Sequence, residues 1–121
     1  MLLKDKALLR RYLNLVDTLV PQMVQMKKAE EVLECPEFSK IVKLGEPLLK
    51  VLLDDIKHLQ EAPLYHECQM LMVDAIAKKI GKEPPVIPPD HQDSLVFKAN
   101  HYIGWGHEHS YLQYRARSQE A

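Results

Sequence analysis

The segment CPEFSKIVKLGEPLLKVLLDDIKHL, from Cys35 to Leu59, constrains the fold more than any other part of this chain. Its second half repeats apolar side chains at the three-and-four spacing of an α-helix, at Leu48, Leu49, Leu52, Leu53, Ile56 and Leu59. Other elements must cover so wide a stripe, since burying each leucine contributes roughly 1.5–3 kcal/mol. The segment therefore predicts the central helix of a helical core.

Two prolines and one glycine divide this segment into a pair of helices. Pro36 and Pro47 each suit the first turn of a helix, because proline has a fixed φ and lacks an N–H that would find no partner there. Gly45 can adopt the positive φ that often follows a helix end. These positions predict a short helix over 37–44 and a longer one that begins at Pro47.

The N-terminal region, residues 3–33, carries a second apolar stripe at helical spacing, formed by Leu8, Leu9, Tyr12, Leu13, Val16 and Leu19 or Val20. Pro21 leaves two possibilities for this region, because proline inside a helix removes a hydrogen bond and clashes with the preceding turn. Either one kinked helix or two separate helices would satisfy the pattern.

The C-terminal half predicts two more helices, over 64–80 and 95–109, separated by a proline-rich segment. Gly81 can end the first of them, and Ser94 or Asp93 can cap the second. Four prolines occupy the six positions 84–89, which forbids a helix and predicts an extended connector. The pattern as a whole predicts an all-α bundle of five to six helices in one domain, with N-terminal helices (1–34), central helices (35–81), the connector (82–94), a last helix (95–110) and a tail (111–121).

Composition supports one globular domain and excludes some functions. The chain has 121 residues, of which 46% are hydrophobic and 27% charged. Sixteen basic and seventeen acidic side chains are interspersed and give a net charge of −1, so nucleic acid and membrane surfaces are disfavoured as partners. No apolar run is long enough for a membrane span or a signal peptide, which predicts a cytoplasmic protein.

The cysteines and their neighbours do not form a catalytic pattern. Cys35 and Cys68 stand among apolar helical residues, which predicts two buried thiols. His66 precedes Cys68 by two residues, and successive helical residues diverge by about 100°, so the two side chains face nearly opposite ways. Because nucleophile motifs and phosphate-binding glycine loops are also missing, we expect a non-enzymatic protein with no catalytic residues and no cofactor.

Three of the six histidines, His101, His107 and His109, lie close together near the C-terminus, with Glu108 between two of them. Two histidines on a helix bind one ion when they are three or four residues apart. His107 and His109 instead point about 200° apart, and could converge only if the backbone leaves the helix at Gly106. A metal-binding protein or a metal-dependent hydrolase that uses these four side chains is the alternative function.

An aromatic cluster near the C-terminus is the stronger candidate for binding a partner. Tyr102, Trp105, Tyr111 and Tyr114 supply four of the eight aromatic residues, next to Arg115, and these residue types are enriched at interface hot spots. Trp105, Tyr111, Tyr114 and Arg115 are the predicted partner-binding residues. The alternative is that Tyr102 and Trp105 anchor the last helix to the core.

Three segments, CPEFSKIVKLGEPLLKVLL, AIAKKIGKEPPVIPPD and IGWGHEHSYL, resemble in order and spacing a widespread bacterial family of small uncharacterised helical proteins. The resemblance covers about residues 30–112 and implies helical hairpins like those of HEAT repeats. The chain departs from the family pattern at Cys35 and His107, where histidine and arginine are expected, and at residues 78–80, which intervene before Gly81. The resemblance implies no activity.

These observations together favour a non-enzymatic protein–protein interaction module. By analogy with other small bacterial proteins, we expect an accessory or antidote-like role beside another protein. A second copy of the chain is the simplest partner, because a domain of this size with so many leucines leaves apolar stripes to cover.

Overall fold

The computed structural model describes the backbone of residues 3–59 and 63–113, and the side chains of the same residues from position 6 onwards. The described residues form five α-helices and two 3-10 helices: α1 (Leu3–Met23), the first 3-10 helix (Ala29–Glu34), α2 (Pro36–Val42), α3 (Pro47–Lys57), α4 (Pro63–Lys79), the second 3-10 helix (Pro89–His91) and α5 (Leu95–Glu108). No strand occurs in the described residues, so the all-α prediction is confirmed.

Helix α3 forms the centre of the core. Five of its apolar side chains, Leu48, Leu49, Leu52, Leu53 and Ile56, are fully buried. The helix lies between α4 and α5, while α1 packs against α2 and the first 3-10 helix packs against α4. The leucine stripe that predicted a central helix is therefore the stripe that the other helices cover.

Helix α1 is one continuous α-helix that includes Pro21 in its last turn. The chain leaves the α-helix after Met23 and continues only as the 3-10 helix, so the second α-helix that Pro21 left open does not form. Its buried face consists of Tyr12, Val16, Leu19 and Met23. Leu13, which the predicted stripe included, is exposed on the outward side, so that part of the prediction is wrong. Of the alternatives Leu19 and Val20, Leu19 is the buried one and Val20 is exposed.

Local signals at the helix ends agree with the structure. Gly45 and Gly81 have φ angles of +84° and +81°, as their positions after α2 and α4 predict. At Gly81 the amide of Lys82 donates to the carbonyl of Ala77 over 2.8 Å, which closes the end of α4 in a Schellman turn. Ser94 caps α5, because its hydroxyl accepts a hydrogen bond from the amide of Phe97.

The proline-rich segment is extended over 82–88 and is followed by the short 3-10 helix, so the predicted connector is confirmed in its first part. Trp105 of α5 donates a 2.8 Å hydrogen bond from its indole nitrogen to the carbonyl of Glu83. Ile87 is partly buried against the core, whereas Val86 is 79% exposed. None of the helices in the described residues combines the length and the apolar character that a membrane span requires.

Candidate functional site

The aromatic residues at the end of α5 are joined to the connector. Tyr111 stacks on Trp105 with ring centroids 5.6 Å apart, and Lys82 lies 4.6 Å above the Tyr111 ring. The Tyr111 hydroxyl accepts a 2.8 Å hydrogen bond from Lys82 and donates to the carboxylate of Glu46. These contacts hold the chain after α5 against the loops that precede α3 and follow α4.

Two of the four predicted partner-binding residues are therefore engaged within the chain. Trp105 is only 6% exposed and is part of the core, and Tyr111 is partly buried. Tyr102 is buried as well, so the structure agrees with the alternative that Tyr102 and Trp105 anchor the last helix. Tyr114 and Arg115 lie outside the described residues.

The C-terminal histidines are directed to different neighbours. His101 lies 2.9 Å from His91, measured from Nε2 to Nδ1, and His91 in turn contacts the ring of Phe97. His109 stacks on Trp105 with ring centroids 4.6 Å apart. Across residues 6–59 and 63–113, no group of three or more His, Cys, Asp or Glu side chains could hold a metal ion. The geometry thus brings no support to the alternative built on His101, His107, Glu108 and His109.

A buried polar network connects α1, α3 and α4, and sequence reasoning missed it. Gln69 is fully buried, and its amide nitrogen donates to Tyr12 and to Asp55, each over 3.0 Å. Its amide oxygen therefore accepts a 2.9 Å hydrogen bond from Nδ1 of His66. Tyr65 joins through its hydroxyl, 3.1 Å from that of Tyr12. Because all these groups satisfy one another inside the core, the network fixes the register of three helices.

The cysteines lie apart from this network and are both free thiols. Cys68 is fully buried and Cys35 is partly buried, so burial is confirmed in full only for Cys68. The Cys68 thiol points to the carbonyl of Ala29, with Sγ 3.9 Å from the oxygen, and not to His66. Burial, with a smaller effect from Glu67, raises the pKa of the Cys68 thiol to about 12. It is therefore protonated at neutral pH and a poor nucleophile.

A cleft of about 270 Å³ lies between α4, α5, the first 3-10 helix and the connector, and we call it the Asp74 cleft. Its lining combines apolar and charged side chains: Ala29, Glu30, Glu67, Met70, Leu71, Asp74, Pro85, Ile87, Gln92, Lys98 and Tyr102. Asp74 accepts a 2.8 Å hydrogen bond from the Tyr102 hydroxyl through its Oδ1 atom. Lys98 donates a 2.8 Å hydrogen bond to Glu67, so the basic residue of the lining has its own acidic partner.

The position of Asp74 in the fold alters the electrostatics of its carboxyl group. Burial raises the pKa of Asp74 to about 6, although the hydrogen bond from Tyr102 and the charge of Lys78 both lower it. A carboxyl group in a cleft with a raised pKa is a feature of binding and catalytic sites. The sequence contained no signal for it, because Asp74 is an isolated acid within a helix of mixed character.

The outward face of α1 is the other unassigned surface. Leu13 is 47% exposed and Val20 is 41% exposed, and Val24, just past the end of the helix, is 75% exposed. They recur at intervals of seven and four residues and so share one face. Arg10 and Asp17 lie on the same side of the helix, are exposed and form no ion pair within the described part of the chain. We call this set of five residues the α1 face.

Comparisons with known proteins do not assign a function to this chain. No protein-family model, curated protein or solved structure matches the chain. The resemblance to a bacterial family with HEAT-like hairpins therefore stays a prediction.

Proposed function

We propose that this protein is a non-enzymatic protein–protein interaction module that pairs with a second copy of itself through the α1 face. The observation that carries the proposal is an exposed leucine flanked by opposite charges on one helix face. Leu13 follows Arg10 by three residues and precedes Asp17 by four. In an isologous dimer the same patch meets itself, so its charges must be complementary to their own image.

An antiparallel pair of α1 helices meets this condition. If the two copies cross at Leu13, each Leu13 packs against its counterpart on the twofold axis. Arg10 of one copy then faces Asp17 of the other, because their positions lie almost symmetrically about residue 13. Both residues lie on the same edge of the stripe, and a twofold axis places matching edges side by side. Two ion pairs would therefore flank the apolar contact, each worth roughly 0.2–1 kcal/mol.

Apolar surface provides the larger part of the driving force in this proposal. Leu13, which is 47% exposed, lies at the crossing point, and pairing removes its surface from water at roughly 25 cal/mol per Å². The charged neighbours give orientation, since a parallel pair would place Arg10 level with Arg10 and Asp17 level with Asp17 and would form neither ion pair. The mixed composition of the patch thus favours one geometry over its reverse.

Sedimentation velocity and native mass spectrometry over a micromolar concentration series test the proposal. We expect a monomer–dimer equilibrium in the unmodified protein and a monomer in the variant Leu13→Glu, which places two carboxylates on the axis. Val86→Glu is the matched control, because Val86 is 79% exposed and lies outside α1, so the change should not affect the dimer. A protein that stays monomeric throughout the series contradicts the proposal.

Charge reversal tests the antiparallel geometry itself. Arg10→Asp and Asp17→Arg should each weaken the dimer by about tenfold, because each creates like charges opposite one another at two symmetric places. The double variant restores opposite charges and should recover most of the affinity. Both single effects should shrink in high salt. If the double variant loses as much dimer affinity as the two single losses multiplied together, the helices do not pair in this register.

A further inference from the structure

The Asp74 cleft is lined by an anionic group together with several apolar side chains. Asp74 is partly buried on α4, and Met70, Leu71, Pro85 and Ile87 supply hydrocarbon surface beside it. None of these residues belongs to the α1 face. What the cleft does can therefore be argued and tested independently of the proposed dimer.

We propose that the Asp74 cleft binds an aliphatic ammonium ion, a primary amine carried on a short hydrocarbon chain. The ammonium group would lie at the Asp74 carboxylate, and the chain would lie along the apolar side chains. A free amine and the side chain of a lysine in another polypeptide both have this chemistry.

The charge of the lining favours a cation. Glu30, Glu67 and Asp74 are acidic, whereas Lys98 is basic and is bonded to Glu67. Asp74 thus has no counter-ion among the residues that line the cleft. Carboxylates that are partly removed from water are ordinarily paired, whereas the hydrogen bond to Asp74 comes from a neutral hydroxyl and the charge of Lys78 acts on it from outside the lining. At pH 7.5 it is ionised, since its pKa is about 6.

The hydrogen bonding at Asp74 selects ammonium over other cations. Oδ1 accepts the proton of Tyr102, and Oδ2 accepts no hydrogen bond from the described residues, which leaves one oxygen for a ligand. A guanidinium group prefers two parallel hydrogen bonds to both oxygens of a carboxylate. A metal ion would need three or more ligands, and no such group exists among the side chains that the structure describes. An ammonium group is a compact charge that is satisfied by a single carboxylate oxygen and water.

An NMR titration at pH 7.5 with n-butylamine hydrochloride tests the proposal. We expect saturable shifts of backbone amides in α4 and α5 with a Kd in the millimolar range, which is the order of a single solvent-accessible ion pair with a short alkyl chain. 1-Butanol has the same four-carbon chain without the charge and should bind at least about tenfold more weakly. Equal affinity for the alcohol, or no saturation with the amine at 100-fold excess over protein, overturns the proposal.

Variants place the effect at the carboxylate. Asp74→Asn keeps the shape and the acceptor for Tyr102 but removes the charge, and it should weaken butylamine binding by about tenfold or more. Asp93→Asn, at an exposed acid that does not line the cleft, should leave binding unchanged. Equal binding by the wild type and Asp74→Asn contradicts the proposal. Because Asp74→Asn is expected to stabilise the fold, a loss of binding would not reflect unfolding.

A second ligand identifies the source of the amine. N-acetyl-lysine N-methylamide carries the same aliphatic ammonium on a short stretch of peptide backbone. Binding of this compound supports the cleft as a site for a lysine side chain, and binding of butylamine alone supports a site for a small free amine. If both fail to bind, the cleft recognises neither form and the proposal is wrong.

Discussion

Tyr102 donates its hydroxyl proton to Asp74 across the contact between α5 and α4, over 2.8 Å. This hydrogen bond lowers the pKa of the carboxyl, as does the charge of Lys78 one turn further along α4. Burial outweighs both and leaves the pKa near 6. Glu30 and Glu67 in the same cleft add negative charge, and Lys98 is held by Glu67. The ionised carboxylate of Asp74 is therefore less stable in the folded protein than it would be in water.

This imbalance predicts how stability depends on pH. The pKa of Asp74 is raised from its ordinary value of 3.8 to about 6, so the native state binds more protons than the unfolded state between these values. Stability from this group is therefore greatest below pH 4 and falls as the pH rises to 6. The Asp74→Asn substitution should stabilise the protein at pH 7.5 by about 1–3 kcal/mol and should flatten this part of the pH profile.

Urea unfolding at pH 4, 5, 6 and 7.5 measures the effect. Most of the advantage of Asp74→Asn should be lost at pH 4, where the aspartic acid is neutral in the folded protein and only partly ionised in the unfolded chain. Asp93→Asn provides the matched control, because Asp93 is exposed and should change stability by less than about 0.5 kcal/mol. An Asp74→Asn protein that is less stable than the wild type at pH 7.5 would mean that the fold stabilises the carboxylate.

Two glycines in α5 offer a second prediction, in which similar substitutions have opposite effects. A Cβ atom at Gly106 would lie 3.0 Å from terminal methyl groups of Leu53 and Leu112, whereas a Cβ atom at Gly104 would have no neighbour within 4 Å. Gly104→Ala should therefore stabilise the protein by about 0.5–1 kcal/mol through helix propensity. Gly106→Ala gains the same contribution from helix propensity, but its Cβ atom must displace Leu53 and Leu112. The substitution should therefore destabilise the protein by about 1 kcal/mol.

Thermal unfolding of the two alanine variants is sufficient for this comparison. The expected order of melting temperature is Gly104→Ala, wild type, Gly106→Ala. If Gly106→Ala is as stable as Gly104→Ala, then Leu53 and Leu112 can move aside without cost, and the contact at Gly106 is not a constraint on packing.

Helix positions were predictable here because their signals are local. The spacing of the leucines in α3, proline at the first turn of α2 and α3, and glycine after α2 and α4 each depend on neighbours within a few residues. The stop of α1 was not predictable, since the apolar pattern continues past Met23 while the backbone turns away. The stripe was predicted to include Leu13, which is exposed, and the spacing left the choice between Leu19 and Val20 open until the structure showed Leu19 buried.

The candidate sites were less predictable than the helices because they depend on contacts between distant segments. Trp105 and Tyr111 have the composition of a binding surface, but the connector supplies the partners that occupy them, Glu83 and Lys82. Asp74 and Gln69 are single polar residues in α4, and only their tertiary surroundings distinguish them from solvated ones. Histidines close in sequence are separated in space, as His101 pairs with His91 and His109 packs on Trp105.

The hydrogen bonds of Gln69 predict a large loss of stability when a side chain of similar size but without polar groups replaces it. Gln69→Leu removes the hydrogen-bond partner of His66, Tyr12 and Asp55 at once, and should destabilise the protein by about 2–4 kcal/mol. Gln25→Leu is the matched control at an exposed position and should have little effect. Chemical denaturation measures both. A Gln69→Leu variant as stable as the control would show that apolar packing can replace the network.

The turn after α5 supplies the last prediction, because a residue other than glycine holds its key position. Ser110 has a φ of +66°, and the amide of Tyr111 donates to the carbonyl of Gly106 over 2.8 Å, which is the Schellman pattern that glycine closes after α4. A left-handed conformation costs an L-residue roughly 1–2 kcal/mol, and glycine in its place gives back part of this through a more flexible unfolded chain. Ser110→Gly should therefore stabilise the protein by about 0.5–1 kcal/mol.

The matched substitution Ser39→Gly, at an exposed position in α2, should have the opposite sign. Glycine within a helix costs about 0.5–1 kcal/mol relative to alanine, and Ser39 has no left-handed strain to relieve. Urea denaturation of both variants gives the comparison. If both glycines destabilise the protein, Ser110 is not held in the left-handed region in solution. The Schellman turn that directs Tyr111 back towards Trp105 would then have another geometry.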